Sequence, residues 1–331
     1  MPSLSSIEAY LKSSGLYLLL VVFSSSVFLM HYLVSGQAVY GDGIGYYAHL
    51  RSWVIDGDWD YTNEYKHNYS QVNNNSVKPT SSDDVQIVAT LPDGRAENHY
   101  SPGVAILLLP YFFLAHVLSI VVAMFNTPVS LHGYSDVYQI ITGLGAVIYV
   151  VAGLWLLEQV LCRYSKDGLM SRIAVISIFF ATQLLYYGAY DVINSHFASF
   201  FLVSLFLYLG YKRKISDKKI FLLGIIGGLL TVNRLQDGIL AFLWFLLECK
   251  NNFKSDKLII YIRTSLIYLS GYLMALLPLL YHWSLTFDGV FKHTYIRNLE
   301  RDVNVYSIDF LGSLFHPNTG LFSVSPLLLL V

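Results

Sequence analysis

The sequence predicts an all-α fold: a polytopic membrane helix bundle, one transmembrane domain over residues 1–331, with a large first external loop that carries interfacial helices. Three observations predict it. Of the 331 residues, 55% are hydrophobic and only 13% are charged, where a soluble chain carries about a quarter charged. Apolar runs near the roughly 20 residues that a helical crossing needs recur along the chain. Lys and Arg gather in short connections between those runs, as they do in cytoplasmic loops.

The same composition excludes other classes. A mean hydropathy of +0.51 leaves too few polar side chains to cover a water-soluble enzyme, and too much apolar material for a disordered chain. The formal net charge is −1 and no basic face stands out, so nucleic acid is not an expected partner. Aromatic residues make up 15%, with 26 Tyr and 20 Phe. These types suit membrane interfaces and sites that hold lipids or sugars. Cys162 and Cys249 are the only cysteines, which rules out a disulfide framework or a zinc cluster.

The first span is Gly15–Ser35. No small-residue cleavage site follows it, so it does not read as a removed signal peptide. A polar stretch, 36–101, comes next, and acids outnumber bases in it. Further apolar runs are Pro102–Phe125, Val137–Leu161, Ile173–Tyr190, Phe197–Tyr211, Ile220–Leu247 and Leu258–Leu285. A last run begins near Leu321 and reaches Val331 unfinished, so the chain is expected to be the N-terminal part of a longer protein.

Orientation follows from the bases. Arg163, Lys166 and Arg172 mark one cytoplasmic connection. Lys212, Arg213, Lys214, Lys218 and Lys219 mark a second, and Lys250, Lys254 and Lys257 a third. With 36–101 outside and Arg163 inside, an odd number of crossings must separate them, yet two apolar runs lie there. Pro110 interrupts Pro102–Phe125 and Pro102 opens it. That run is therefore expected to form helices that lie in or dip into the outer interface, within an external region 36–136. Ile220–Leu247 has basic ends on both sides and a polar middle of Asn233, Arg234, Gln236 and Asp237. It is expected to be two short helices, up and back, whose turn faces protein or a water-filled cavity.

Charges inside membrane segments cost about 2.5–3.5 kcal/mol each, which makes them functional candidates. Arg234 and Asp237 qualify, either as part of a polar site or as a pair bonded across one helical turn. Asp42, in Tyr40-Gly-Asp-Gly-Ile-Gly-Tyr-Tyr47, follows closely on the first span. It is a carboxylate at headgroup level, or the N-cap of a helix with Ile44, Tyr47, Leu50, Arg51 and Val54 on one face. The glycines are no dinucleotide fingerprint, since neither a strand nor a βαβ unit frames them. Asp56-Gly-Asp-Trp-Asp60 fails the calcium-loop pattern at Tyr61 and His67 and reads as a solvated turn. Glu97, His99 and Tyr100 lead into the interfacial run. Asp191, Asn194 and His196 share a short external loop that must lie at the membrane face. His316 and Asn318, with Gly320, form a turn that either receives a phosphate or simply reverses the chain. Lys292, Arg297 and Arg301 precede it.

One span, a large external loop with an early Asp, interfacial helices and then many spans: this arrangement resembles the membrane-embedded glycosyltransferases of the GT-C fold. The likeness is greatest to the branch that contains protein O-mannosyltransferases and aminoarabinose transferases, with its uncharacterised bacterial relatives. It is carried by Gly41-Asp-Gly-Ile-Gly-Tyr-Tyr47, Asn98-His-Tyr-Ser-Pro-Gly103, Ser195-His-Phe-Ala-Ser-Phe-Phe201 and His316-Pro-Asn-Thr-Gly-Leu-Phe-Ser323, and it runs over nearly the whole chain. Gly43 stands where the family often has Glu after the Asp, and Asn98-His-Tyr-Ser-Pro102 where it usually has Lys-Pro-Pro.

The resemblance implies a bacterial inner (plasma) membrane enzyme with its site facing outward. The donor would be a polyprenyl-phosphate sugar, met among membrane lipids, and the acceptor a glycan, lipid or protein. Asp42 would be the catalytic base on an acceptor hydroxyl. Arg234, with His316 or Arg297, would bind the leaving phosphate. Glu97, His99, Tyr100, Asp191, Asn194, His196, Asp237 and Asn318 would complete the substrate site. Direct attack would invert the anomeric centre. No cofactor is identified, and a divalent cation is left open. Two rivals remain. A lipid-linked oligosaccharide polymerase or ligase shares the donor. A lipid or sugar transporter needs internal repeats and paired broken helices, whereas this sequence has one broken segment, no repeat and an early loop.

Overall fold

The computed structural model describes residues 4–70, 91, 93–125, 130–211, 216–253, 258–286, 310–317 and 321–324. Every element among them is helical. The α-helices, in chain order, are α1 (Leu4–Ser35), α2 (Gly43–Arg51), α3 (Thr62–Ser70), α4 (Gly103–Met124), α5 (Asp136–Ser165), α6 (Gly168–Ala181), α7 (Ser195–Gly210), α8 (Asp217–Asn233), α9 (Gly238–Phe253), α10 (Leu258–Thr286), α11 (Phe310–Phe315) and α12 (Leu321–Val324). Four stretches are long and apolar enough to cross a membrane: Gly15–Ser35, Gly103–Met124, Asp136–Ser165 and Ile262–Thr286. Their outward faces carry large apolar side chains, such as Leu18, Leu33, Phe113, Met124, Leu266 and Leu277. In water such faces would drive association. They mark a membrane protein.

Helix α5 is the central post and packs against α1, α4, α6 and α7. It runs antiparallel to α1, with Tyr17 bonded to Glu158 near one end and the Tyr32 hydroxyl donating to Asp136 (2.7 Å) at the other. Glu158 is a charge within the apolar run 137–161 that sequence reading passed over. It is buried and receives Arg172 Nε at 2.9 Å, so it ties α1, α5 and α6 together. The turn into α6 is locally built. Lys166 adopts a left-handed conformation (φ 57°) that ends α5. The Asp167 side chain then caps α6 by accepting from the Leu169 and Met170 amides, as an N-cap should.

The expected interruption at Pro110 does not occur: α4 is one unbroken helix of 22 residues. Proline forfeits one backbone bond and crowds the preceding turn. Here the Tyr149 hydroxyl donates to the Leu107 carbonyl in that turn (2.9 Å), and Gly145 of α5 lets the Tyr111 ring lie against the helix. Ile173–Tyr190 is likewise not a single helix. It stops at Thr182 and resumes as a π-helical turn, Tyr186–Tyr190.

Ile220–Leu247 divides into α8 and α9 at the polar middle, joined by a 3₁₀ turn, Leu235–Asp237. Gly238 lies against Thr231, and Gly227 against Ala241, so the two helices fold back on each other. Helices α8 and α10 run side by side in the same direction. Gly224 and Gly228 face Tyr268, Tyr272 and Ala275, while Gly271 faces the Phe221 carbonyl. A methyl group on Gly228 would come within 2.6 Å of the Tyr272 carbonyl. Small residues four apart on both helices let the backbones touch, which in lipid replaces the missing hydrophobic drive.

Candidate functional site

Asp42 sits between α1 and α2 on a glycine-shaped turn. Gly41 has φ +54°, a conformation that favours glycine. A methyl group on Gly43 would lie 2.7 Å from the Ile193 carbonyl oxygen, and one on Gly45 would strike the Tyr100 ring. The Gly-x-Gly-x-Gly spacing therefore serves close approach: it admits the 191–194 segment on one side and Tyr100 on the other. Asp42 occupies the N-cap position of α2, but its side chain makes no cap bond. Its carboxylate is exposed and accepts the Tyr100 hydroxyl at 2.9 Å instead.

The loop before α4 brings Glu97, His99 and Tyr100 to Asp42. Glu97 is buried. The His99 ring lies against Tyr100, tilted by 31° (ring centroids 4.2 Å apart). Burial holds the His99 pKa below its ordinary value, with the charges of Glu97 and Asp42 opposing the shift. From the other side, Asp191 ends the π-helical turn. Burial first, and the Asp42 charge second, push its carboxyl up to about 6, while the Tyr40 hydroxyl opposes the rise. The Asp42 charge thus disfavours the ionised form of Asp191.

Asn194 has a different task from lining the site. Its Oδ1 accepts from the His196 and Phe197 amides, and its Nδ2 donates to the Asp191 carbonyl. It caps α7 and fixes the turn that aims its neighbours. His196 stacks on Tyr187 (3.9 Å, 17°), and its Nδ1 lies 3.3 Å from an Arg234 terminal nitrogen. Arginine only donates, so this ring nitrogen is the acceptor. Asp42 and Arg234 both lie within electrostatic reach of His196 and Tyr187.

Arg234 ends α8 in an extended conformation (φ −149°, ψ 127°). With the Gln236 amide turned oxygen-inward, that oxygen accepts from Arg234 Nε and a terminal nitrogen, each at 2.9 Å. The Arg234–Asp237 pair does not form. Asp237 accepts from Ser199, which also accepts from the Asn233 amide (2.9 Å). Among the described residues no carboxylate lies within ion-pair distance of Arg234. A groove of about 420 Å³ opens beside this cluster. Down α7 its wall passes from His196 and Ser199 to Phe200 and Val203, with Tyr187 and Leu184 opposite.

Asp42, Glu97, His99, Tyr100, Asp191, His196, Arg234 and Asp237 are thus gathered from four well-separated stretches of chain. His316 is exposed at the end of α11, a short helix that packs with α12. Asn318, Lys292, Arg297 and Arg301 lie outside the described residues, as do Lys212, Arg213, Lys214, Lys254 and Lys257. Asp56–Asp60 is a turn whose carboxylates are engaged locally: Asp58 accepts from Ser52, and Asp60 from Thr62. Among the described residues no three His, Cys, Asp or Glu side chains are disposed to hold a metal. Ser199 and Tyr187 were missed by sequence reading. The spacing of Ser195, His196 and Ser199 on one face of α7 is the signal that marks Ser199, whereas nothing local marks Tyr187.

No family model, curated protein or solved structure matches the chain.

Proposed function

We propose that the chain is an integral-membrane glycosyltransferase. It would move a sugar from a polyprenyl-phosphate donor to an acceptor hydroxyl on the external face of a bacterial inner membrane. The observation that carries this reading is the pairing of opposites in one cluster. A carboxylate held by Tyr100 and an arginine with no ion-paired carboxylate among the described residues both act on His196 and Tyr187, and those two rings line a groove that continues to apolar Phe200 and Val203. The arginine end suits a phosphate, and the apolar wall suits a lipid chain. The basic connections at Arg163–Arg172 and Lys218–Lys219 support the orientation.

In this mechanism Asp42 takes the proton from the acceptor hydroxyl. The acceptor oxygen attacks the anomeric carbon as its bond to the phosphate oxygen breaks. The bonding pair leaves on that oxygen, where Arg234 and the neighbouring His196 meet the growing negative charge. Attack from the face opposite the leaving group inverts the centre. Asp191, held partly protonated near neutral pH, and His99 line the approach. The test is transfer of radiolabelled sugar from a polyprenyl-phosphate donor in membranes, comparing wild type with Asp42→Asn. Loss of transfer in the variant is expected, and equal transfer by both removes Asp42 from the role of base.

A further inference from the structure

The strongest feature that this reaction scheme leaves unused is a buried polar knot next to Asp42. His49 lies two helical turns beyond Asp42 on α2 and is fully buried. Its Nε2 is 3.0 Å from the Tyr100 carbonyl oxygen, and its Nδ1 is 2.8 Å from the Tyr61 hydroxyl. A carbonyl oxygen can only accept, so Nε2 carries the proton and Nδ1 accepts from Tyr61. One neutral tautomer satisfies both contacts. Burial, with His282 alongside, holds the imidazole well below its ordinary pKa, so it stays neutral.

Asn98 completes the knot. Its Oδ1 accepts from the Tyr100 amide (3.1 Å) and from the Tyr65 hydroxyl (3.0 Å), and its Nδ2 donates to the Gly45 carbonyl (3.0 Å). Its own carbonyl accepts from His282 Nε2 of α10 at 3.0 Å. Tyr100 is therefore fixed at each of its polar positions: the amide by Asn98, the carbonyl by His49, the hydroxyl by Asp42. Its ring is pressed against Gly45. A side chain that only filled space would need none of this.

We propose that His49 is a positioning residue for the reaction. It acts through the Tyr100 carbonyl to hold the Tyr100 hydroxyl, and with it the Asp42 carboxylate, in the orientation that receives the acceptor proton. This rests on the glycosyltransfer reading of the same site. His49 touches neither donor nor acceptor, so its loss acts on kcat and not on donor binding.

The experiment is a double-mutant cycle in the transfer assay, with His49→Leu, Tyr100→Phe and the double variant. His49→Leu is expected to lower kcat about 10–100-fold, the scale of a misplacement near 1 Å, with donor KM within about twofold of wild type. His49→Gln, which carries an N–H where Nε2 stood, should recover most of that loss. The double variant should be no slower than Tyr100→Phe alone. Losses that multiply, or a donor KM that rises with the fall in kcat, would overturn the proposal. If His49→Leu does not accumulate in membranes, Tyr61→Phe takes its place: it frees Nδ1, keeps the packing, and should slow wild type but not Tyr100→Phe. A wild type that transfers nothing overturns the reading of the site itself. An active wild type with multiplying losses overturns only the role of His49.

Discussion

Gly45→Ala is the sharpest perturbation available, because its consequence is read from backbone geometry. A methyl group at Gly45 would lie 2.6 and 2.7 Å from the Cγ and Cε2 of Tyr100, where ordinary contact begins at 3.4 Å. Gly45 is buried in the first turn of α2 and its carbonyl is bonded to Asn98, which holds this turn in place. The ring must therefore retreat by about 1 Å or more, a shift that close-packed interiors resist. The retreat withdraws the hydroxyl from Asp42. A misplacement of this size costs about 100-fold in rate, or roughly 2.7 kcal/mol of barrier. Overpacking adds about 1–3 kcal/mol of lost stability. The check is kcat for transfer together with a melting curve in detergent. We expect kcat of Gly45→Ala to fall at least as far as that of Tyr100→Phe, at a temperature where both proteins remain folded. A folded Gly45→Ala protein with wild-type kcat would refute the chain from Gly45 through Tyr100 to Asp42.

Three further outcomes follow from the same contacts. Arg234→Gln should lower kcat about 100–1,000-fold, as loss of a donor to developing charge does. Arg234→Lys should retain part of the rate through its charge, and steady-state kinetics on the two variants distinguishes charge from geometry. Asp191→Asn should raise the melting temperature at pH 7 but not near pH 4. Its folded pKa of about 6 stands above the ordinary 3.8. The folded state therefore loses stability as pH rises through that window and the carboxylate charges, a penalty that the amide escapes. Gly224→Leu should destabilise the bundle by about 3 kcal/mol or more, measured by thermal melting. Its side chain would meet the main chain of Tyr268 and Tyr272 rather than a movable group.

What was legible in the sequence depended on whether a residue's partner was local. The break in 220–247 was readable because Asn233, Arg234, Gln236 and Asp237 cannot all be lipid-facing, whatever else the chain does. The continuity of α4 through Pro110 was not readable. It depends on Tyr149 and Gly145, some 40 residues away in sequence, which support the weakened turn. The break at Thr182 carries no Gly or Pro; the threonine hydroxyl itself ends the helix by bonding to the Ile178 carbonyl and the Leu184 amide. Asp42 and Arg234 stood out as charges beside apolar runs. His49 did not, since a histidine on an amphipathic helix looks ordinary until its partners on the 97–100 loop and α10 are known.

The residues of the site share a position as well as a location: most of them occupy a helix terminus. Asp42 precedes α2, Ser101 and Gly103 open α4, Asp191 closes the π-helical turn, Asn194–His196 begin α7, and Arg234 closes α8. Helix ends leave backbone donors and acceptors without partners inside the helix. In a membrane profile these ends persist only where protein groups or water satisfy them. Bringing several such ends together concentrates the polar side chains that the fold requires anyway: the Asn194 cap, the bond from Ser101 to the Val232 carbonyl, the contact of Gly103 with Asn233. The structural need for caps accounts for Asn194, Ser101 and Asn233. It does not account for Asp42, whose side chain caps nothing, or for Arg234, whose guanidinium among the described residues meets a histidine and an amide rather than an anion. Those two are the residues that a purely architectural site would lack, and the case for chemistry rests on them.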